Sequence, residues 1–177
     1  MERDKIHIFL IGFMGSGKTS LGKLLARKLK FVFLDTDLLI EELEKSSIQE
    51  IFSSKGESYF REKEHEVLLE LGENIQPTVF STGGGMPIFN DNISLMKENG
   101  IVVFLDVPVG MLYFRLKNDV KRPLIASQEN LLEYIKASLN ERMPIYIQSN
   151  LIVDGSLNKS ELVDIITDFY NQAILEK

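Results

Sequence analysis

The sequence predicts an α/β protein with three layers, in which helices cover both faces of a five-stranded parallel sheet. Short apolar runs alternate with longer amphipathic stretches along the 177 residues, and a glycine-rich loop follows the first run. Strands that alternate with helices are joined as parallel βαβ units, and a parallel sheet needs cover on both faces. The length favours one domain, so we expect residues 1–177 to form a single unit.

The predicted strands are short apolar runs at residues 6–11, 31–34, 78–81, 101–105 and 151–153. The first is rich in β-branched residues and stops at Gly12, as is typical of a buried strand. The predicted helices carry apolar residues at the spacing of one helical face. They span residues 19–30, 37–45, 48–54, 57–71, 90–98, 108–117, 131–147 and 159–174, and Pro144 is expected to disturb the seventh. The polar stretch 118–130 is predicted to be a mobile loop.

Composition excludes several classes of protein. The chain has 20 basic and 26 acidic residues, a net charge of −6, and no cysteine. Disulfides and thiolate metal sites are therefore excluded, and no basic stripe indicates a nucleic-acid partner. We see no signal peptide, and no apolar run approaches the ~20 residues of a membrane helix. We expect a cytoplasmic protein with no membrane partner.

Residues 12–19, Gly-Phe-Met-Gly-Ser-Gly-Lys-Thr, match the pattern G-x-x-x-x-G-K-[ST] between a strand and a helix. Such a P-loop turns its backbone N–H groups toward phosphate oxygens, beside the positive end of the helix dipole. Lys18 should reach the β- and γ-phosphates, and the Thr19 hydroxyl should bind Mg²⁺. The alternative is a glycine-rich turn without a ligand. Phosphate-loop contacts are predicted for Gly12, Gly15, Ser16, Gly17, Lys18, Thr19 and Ser20.

The second strand ends in Asp35-Thr36-Asp37, at the sheet edge where ligands gather. One carboxylate can serve the metal, and the other can orient an acceptor hydroxyl. The alternative is that Asp37 or Thr36 caps the next helix. Many P-loop proteins have an aspartate after the third strand, where this chain has Ser81, so Asp35 remains as the metal carboxylate.

Arginines and glycines elsewhere suggest an anionic second ligand. Arg61 lies in a charged run, where a solvated surface position is the alternative. Arg115 and Arg122 fall at a helix end and in the polar loop, from which they could neutralise a transferring phosphoryl group. The triplet 83–85 after the third strand permits close approach by a ligand, or is only a flexible turn.

Several separated motifs together resemble the shikimate kinase family, from Ile6 to about Asp154. They are the P-loop, Leu34-Asp35-Thr36-Asp37, Ile51-Phe52 with Gly56-Glu57, Phe60-Arg61 and Glu64, Ser81-Thr82-Gly83-Gly84-Gly85, Arg122-Pro123-Leu124, and Glu141-Arg142 with Pro144-Ile145-Tyr146. Thr19 and Ile145 replace the family's commoner Ser and Leu. Residues 155–158 match poorly, and no base contact is assigned there.

The resemblance implies a nucleoside monophosphate kinase-like P-loop fold. It also implies transfer of the ATP γ-phosphate to the 3-hydroxyl of shikimate, a step of aromatic amino-acid biosynthesis. It implies a substrate-binding helical region at about 37–74 and a lid at about 115–128. A monomer with ATP, shikimate and Mg²⁺ as its ligands is expected.

The resemblance also implies roles for individual residues. Asp37, Lys18 and Arg122 would be catalytic, Thr19 and Asp35 would manage Mg²⁺, and Arg115 would lie against the adenine. The substrate-binding residues would be Asp37, Phe52, Phe60, Arg61, Glu64, Gly84, Gly85 and Arg142.

Two other functions are compatible with a P-loop, namely a GTP-driven switch and a kinase for another small molecule. A GTP-driven switch protein would carry N-K-x-D, but Asn158-Lys159-Ser160-Glu161 lacks the aspartate. A gluconate or nucleoside monophosphate kinase fits less well, because Asp37, Arg61 and Arg142 favour a carboxylated polyol. His7 and His65 lack metal-ligand spacing and are interpreted as structural.

Overall fold

The computed structural model describes residues 6–71, 76–119, 125 and 128–175. Its strands are β1 (His7–Ile11), β2 (Val32–Asp35), β3 (Thr78–Ser81), β4 (Gly100–Asp106) and β5 (Leu151–Asp154). They form one sheet in the order β2-β3-β1-β4-β5, and every neighbouring pair is parallel. The predicted five-stranded parallel sheet is confirmed, with each strand end within one residue of its predicted position.

Seven helices lie in the described residues. They are α1 (Lys18–Leu29), α2 (Thr36–Glu44), α3 (Ile48–Leu71), α4 (Asn92–Asn99), α5 (Val109–Leu116), α6 (Leu131–Tyr146) and α7 (Lys159–Leu175). A short 3₁₀ turn, Met86–Ile88, was not predicted. Pro144 lies in the last turn of α6, which ends two residues later. None of the helices within these ranges is both long and apolar enough to cross a membrane.

The three layers follow from the alternation of side chains along the buried central strand β1. Ile8 and Leu10 pack in one apolar cluster with residues of α1 and α7. Phe9 and Ile11 pack in a second cluster with residues of α2 to α6. Successive strand side chains point to opposite faces, so one strand joins both halves of the core. The predicted α/β/α arrangement is confirmed.

Aromatic rings fill the second cluster close to the sheet. The rings of Phe9 and Phe80 stack with centroids 4.8 Å apart, and the His7 ring meets Phe80 edge-on at 5.4 Å. His7 Nδ1 also accepts a hydrogen bond from the backbone N–H of Thr78, at 3.2 Å. These contacts give His7 a packing role between β1 and β3.

The strand register brings the functional segments to one edge of the sheet. Asp35, the last residue of β2, pairs with Ser81, the last residue of β3, and Ser81 pairs with Leu10 near the end of β1. The three strands therefore finish at the same level. The loops that follow them, including the P-loop, converge at their carboxyl ends, where parallel sheets bind ligands.

Helix α3 is bent at Gly56, whose φ of 84° and ψ of 171° are not helical. The predicted separate helices at 48–54 and 57–71 are thus two segments that meet at this residue. Phe52 before the bend and Phe60 after it come together, with ring centroids 5.1 Å apart. The bend places side chains from both segments on one side of the molecule.

We predict that Gly56→Ala lowers the free energy of unfolding by about 1–2 kcal/mol, because an alanine resists positive φ. A Cβ at position 56 would meet no atom within 4 Å, so backbone conformation alone is tested. Gly110→Ala is the matched control, since its Cβ would also meet open space but Gly110 lies at the start of α5. Urea denaturation should show no loss for the control. Equal losses in both variants would contradict the assignment of strain to Gly56.

Candidate active site

The P-loop wraps around the side chain of Lys18. Lys18 Nζ donates hydrogen bonds to the carbonyl oxygens of Gly12 and Phe13, at 2.8 and 3.0 Å. Gly12, Gly15 and Gly17 have φ values of 140°, 78° and 97°, which only glycine adopts without strain. The three glycines therefore let the loop curl directly into the first turn of α1, where free N–H groups favour an anion.

A cavity of about 450 Å³ lies beside this loop. Arg115 from α5 reaches it and donates a hydrogen bond to the Gly15 carbonyl oxygen, at 2.9 Å. The structure thus brings five predicted nucleotide-binding residues to one cavity, namely Gly15, Ser16, Gly17, Ser20 and Arg115.

Residues 155–159 line the far side of the same cavity, with the exception of Ser156. No motif in the sequence predicts a ligand contact for these residues. Asn158 and Glu161 hydrogen-bond reciprocally: Glu161 N donates to Asn158 Oδ1 at 3.0 Å, and Asn158 N donates to Glu161 Oε2 at 3.3 Å. This is a capping box at the start of α7. The spacing of Asn158 and Glu161 is the sequence signal for this wall of the cavity, because a capping box predicts that a helix begins there.

Oxygen atoms from three segments meet next to the P-loop. Thr19 Oγ1 donates a hydrogen bond to Asp35 Oδ2 at 2.7 Å and lies 3.2 Å from Ser81 Oγ. Ser81 was noted only as a replacement for aspartate, and its hydroxyl is an addition to the predicted pair. No group of three His, Cys, Asp or Glu residues suited to a metal occurs in the described ranges. A site with few protein ligands, all oxygen, fits Mg²⁺ shared with phosphates.

Asp35 also caps α2, a role that the sequence analysis offered to Asp37 or Thr36. Asp35 Oδ1 accepts a hydrogen bond from Asp37 N at 3.2 Å. Thr36 instead joins two strand ends: its hydroxyl donates to the Ser81 carbonyl at 3.3 Å and accepts from Gly83 N at 3.2 Å. The capping hypothesis is therefore wrong for Asp37 and Thr36.

A second cavity, of about 640 Å³, opens on the other side of the P-loop. It is lined by side chains from α2, both segments of α3 and α6, and by the glycine triplet. The structure brings together all the predicted substrate-binding residues here: Asp37, Phe52, Phe60, Arg61, Glu64, Gly84, Gly85 and Arg142. Thr19 and Asp35 also line it, so the two residues predicted to bind the metal face this cavity.

Arg61 is held in this cavity by two carboxylates of its own helix. Its Nη2 donates to Glu57 Oε1 at 2.8 Å, and its Nη1 donates to Glu64 Oε2 at 2.5 Å. Only 12% of its side chain is exposed, so the solvated-surface alternative is wrong. Burial alone would lower the pKa of Arg61, but the charges and hydrogen bonds of Glu64 and Glu57 raise it. The guanidinium is fully charged and fixed in orientation.

Glu64 is a fully buried carboxyl group. Its pKa is raised from 4.5 to about 7, mainly by burial and also by the charge of Asp37, while Arg61 and Arg142 oppose the rise. Among the described residues, Glu64 Oε1 and Arg142 Nη1 are buried without a hydrogen-bond partner. Such groups are rare unless a ligand or water completes them. The cavity thus offers both a cation and a carboxyl group to a polar ligand.

Some predicted features lie outside the described residues. Arg122 is among them, as are half of the predicted lid at about 115–128 and the end of the helical region at about 37–74.

Comparison with known proteins gives a consistent result. A family model described as shikimate kinase matches residues 14–171. A shikimate kinase of Sulfurihydrogenibium sp. (strain YO3AOP1) is 47% identical over 149 residues, which cover 84% of this chain and 87% of the relative. A shikimate kinase of Bacteroides fragilis is 45% identical over 150 residues, covering 83% of each chain.

Solved structures agree with the sequence matches. The shikimate kinase of Acinetobacter baumannii in complex with shikimate is 33% identical, with a TM-score of 0.89 over 97% of this chain and 96% of that chain. The shikimate kinase of Bacteroides thetaiotaomicron has a TM-score of 0.87 at 37% identity, over 94% and 98% of the two chains. A gluconokinase of Sinorhizobium meliloti has a TM-score of 0.61 at 15% identity, over 99% and 97%, a likeness of fold alone.

We predict that Glu64 makes stability fall as pH rises from about 4.5 to about 7. A carboxyl group whose pKa is raised on folding stabilises the fold fully below its unfolded pKa and loses that contribution by its folded pKa. Urea denaturation of wild type and Glu64→Gln between pH 4.5 and 8 measures this. The wild type should lose stability relative to the variant across that range. A constant difference between the two curves would contradict the raised pKa.

Proposed function

The chain belongs to the shikimate kinase family, and from this premise we propose how its residues transfer the γ-phosphate of ATP to the 3-hydroxyl of shikimate. The relatives from Sulfurihydrogenibium and Bacteroides thetaiotaomicron match most of this chain in sequence and in fold, respectively. The proposal concerns the roles of individual side chains and of Mg²⁺.

One observation carries the proposal: two arginines and two carboxyl groups converge in a cavity that adjoins the P-loop. Arg61, Arg142, Asp37 and Glu64 line it, and Thr19 connects it to the loop. A carboxylated ring with several hydroxyls matches this set, because guanidinium groups bind a carboxylate and carboxylates accept from hydroxyls. The relative from Acinetobacter baumannii, whose structure contains shikimate, supports this match.

We assign acceptor binding to the two arginines and the two aromatic rings. Arg61 and Arg142 bind the acceptor carboxylate, and the Arg142 guanidinium lies 5.3 Å from the centre of the Phe13 ring. Phe52 and Phe60 form the apolar wall against the ring. Backbone groups at Gly84 and Gly85 meet a ring hydroxyl, where the absence of a side chain leaves room for Arg61 and Arg142.

Asp37 binds the ring hydroxyls and accepts the proton of the attacking hydroxyl. It lies beside Gly83 and Glu64 in the cavity. A positioned base contributes most when the acceptor oxygen becomes nucleophilic as the phosphoryl group arrives. Glu64 keeps Arg61 in place and adds a hydrogen-bond acceptor.

On the donor side, backbone N–H groups of the P-loop hold the phosphates, and Lys18 stabilises the charge of the transferring group. This requires the Lys18 ammonium to exchange its carbonyl partners at Gly12 and Phe13 for phosphate oxygens. Arg115 borders the nucleotide cavity on the adenine side. Arg122 is assigned to the phosphoryl group from the family resemblance.

Thr19 and Asp35 would hold Mg²⁺, which, when bound, neutralises charge between the phosphates. Their separation of 2.7 Å lets Asp35 orient the hydroxyl of Thr19, and Ser81 supports it from the other side. We also propose a monomer that works in the cytoplasm, which size-exclusion chromatography and localisation experiments would test.

The experiment that tests this function is a coupled assay of ADP release. Purified protein with ATP and Mg²⁺ is offered shikimate, gluconate or a nucleoside monophosphate. We expect ADP release with shikimate alone, and loss of it when EDTA removes the metal. Turnover with gluconate but not shikimate would overturn the proposal. Full turnover in EDTA would remove the metal from it.

We predict that Asp37→Asn lowers kcat by about 10²-fold or more, since an amide cannot accept the proton. Arg61→Ala should also lose shikimate turnover, because it removes an arginine and leaves Glu64 buried without its cation.

ATP binding, measured by isothermal titration, should survive in both variants. The matched controls are the exposed residues Asp168→Asn on α7 and Arg27→Ala on α1, which should keep normal rates. A normal rate in either test variant would remove that residue from the mechanism.

A further inference from the structure

Tyr146 is a fully buried aromatic residue at the end of α6, and the roles assigned so far do not use it. Its ring packs against Phe104 of β4, with centroids 4.9 Å apart. Its hydroxyl donates a hydrogen bond of 2.5 Å to the carbonyl oxygen of Gly84. A core tyrosine thus reaches from the sheet to the glycine triplet at the acceptor cavity.

The same hydroxyl also interacts with Arg142, one turn earlier on α6. Burial raises the pKa of Tyr146, while the charge and hydrogen bonding of Arg142 oppose that rise. Tyr146 is therefore hydrogen-bonded to one component of the acceptor cavity and influenced electrostatically by a second, which comes from a distant part of the chain. One is the Gly84 backbone, and the other is the guanidinium of Arg142.

Gly84 lies between the donor and acceptor sides. A Cβ at Gly84 would lie 3.3 Å from both the Gly12 carbonyl oxygen and the Met14 N, and 3.4 Å from Arg142 Nη1. In a trans peptide the carbonyl and the next N–H point in opposite directions. A hydrogen bond to the Gly84 carbonyl therefore fixes the direction of the Gly85 N–H, which belongs to a residue that lines the acceptor cavity.

We propose that Tyr146 is a positioning residue for the acceptor, which holds the Gly84 peptide and Arg142 in one arrangement through its hydroxyl. This rests on the proposed function of the cavity. The phenol touches neither substrate directly and acts through these two groups. We expect its effect on the acceptor side, because Gly84 and Arg142 both line the acceptor cavity and neither lines the cavity beside residues 157–159.

The test is Tyr146→Phe, which keeps the ring and removes the hydroxyl. We expect the KM for shikimate to rise about tenfold, the effect of about 1.4 kcal/mol, since a buried carbonyl loses its partner and Arg142 loses its support. The KM for ATP should stay within about twofold, a change of under 1 kcal/mol. Loss of a residue with a purely structural role would not raise the KM for shikimate while leaving the KM for ATP unchanged.

The matched control is Tyr170→Phe on α7. Tyr170 is also a buried tyrosine whose hydroxyl bonds to backbone, at Ile6, but it packs on the opposite face of the sheet. Thermal unfolding should show similar stability losses for both variants, and only Tyr146→Phe should change the KM for shikimate.

Three results would overturn the proposal: an unchanged KM for shikimate in Tyr146→Phe, equal rises in both KM values, or loss of the folded state in Tyr146→Phe alone. Each of these results would mean that the Tyr146 hydroxyl contributes to stability alone or has no measurable role. The wild-type protein distinguishes failure of this proposal from failure of the proposed function. If the wild type does not phosphorylate shikimate, the proposed function is wrong, whatever Tyr146→Phe does.

Discussion

A hydrogen bond of 2.7 Å between Thr19 and Asp35 joins the first turn of α1, next to the P-loop, to the end of β2. It can form only because β2 and β3 end in register, with Asp35 beside Ser81. A shift of one residue would turn each side chain to the other face. The parallel register is therefore the constraint that places Thr19, Asp35 and Ser81 within reach of one another, where we propose that the metal binds.

Charge is distributed locally in a way that the net charge of −6 conceals. One arginine of the acceptor cavity is partly neutralised by carboxylates that hold it in place. Arg61 is paired with Glu57 and Glu64, and burial raises the pKa of Glu64 to about 7. A cation fixed by a carboxyl group that is not fully ionised near neutral pH retains more of its charge for an anionic ligand. Local pairing thus allows an acidic protein to bind two anions.

Much of this arrangement could be predicted from the sequence, because the P-loop and the strand–helix alternation are local patterns. The spacing of residues 12–19 identified the phosphate site, and the positions of Asp35 and Asp37 after a strand located them at the sheet edge. The family resemblance brought in Arg61, Glu64 and Arg142. Their grouping in one cavity depends on the packing of α3 and α6 against the same 3₁₀ turn, Met86–Ile88.

What the sequence could not show depends on contacts between distant segments. The burial of Glu64 is decided by neighbours on other elements, and nothing in its charged run indicates a raised pKa. The Tyr146 hydroxyl meets Gly84 across 62 positions of the chain. The cavity wall formed by residues 155 and 157–159 could be anticipated only at its helix start, from the spacing of Asn158 and Glu161, because the preceding loop carries no motif. Propensity and periodicity carry no information on such pairings.

The bent helix α3 has a consequence for how the molecule could be modified. Most side chains of the acceptor cavity come from one continuous stretch between β2 and β3, whereas the phosphate loop lies between β1 and α1. The gluconokinase of the same fold, at 15% identity, is built on the same framework. Under the function proposed above, the chemistry of the acceptor site is thus carried largely by this one stretch, and its exchange is a route to a different acceptor. Arg142 and the glycine triplet lie outside the stretch and would have to be matched to it separately.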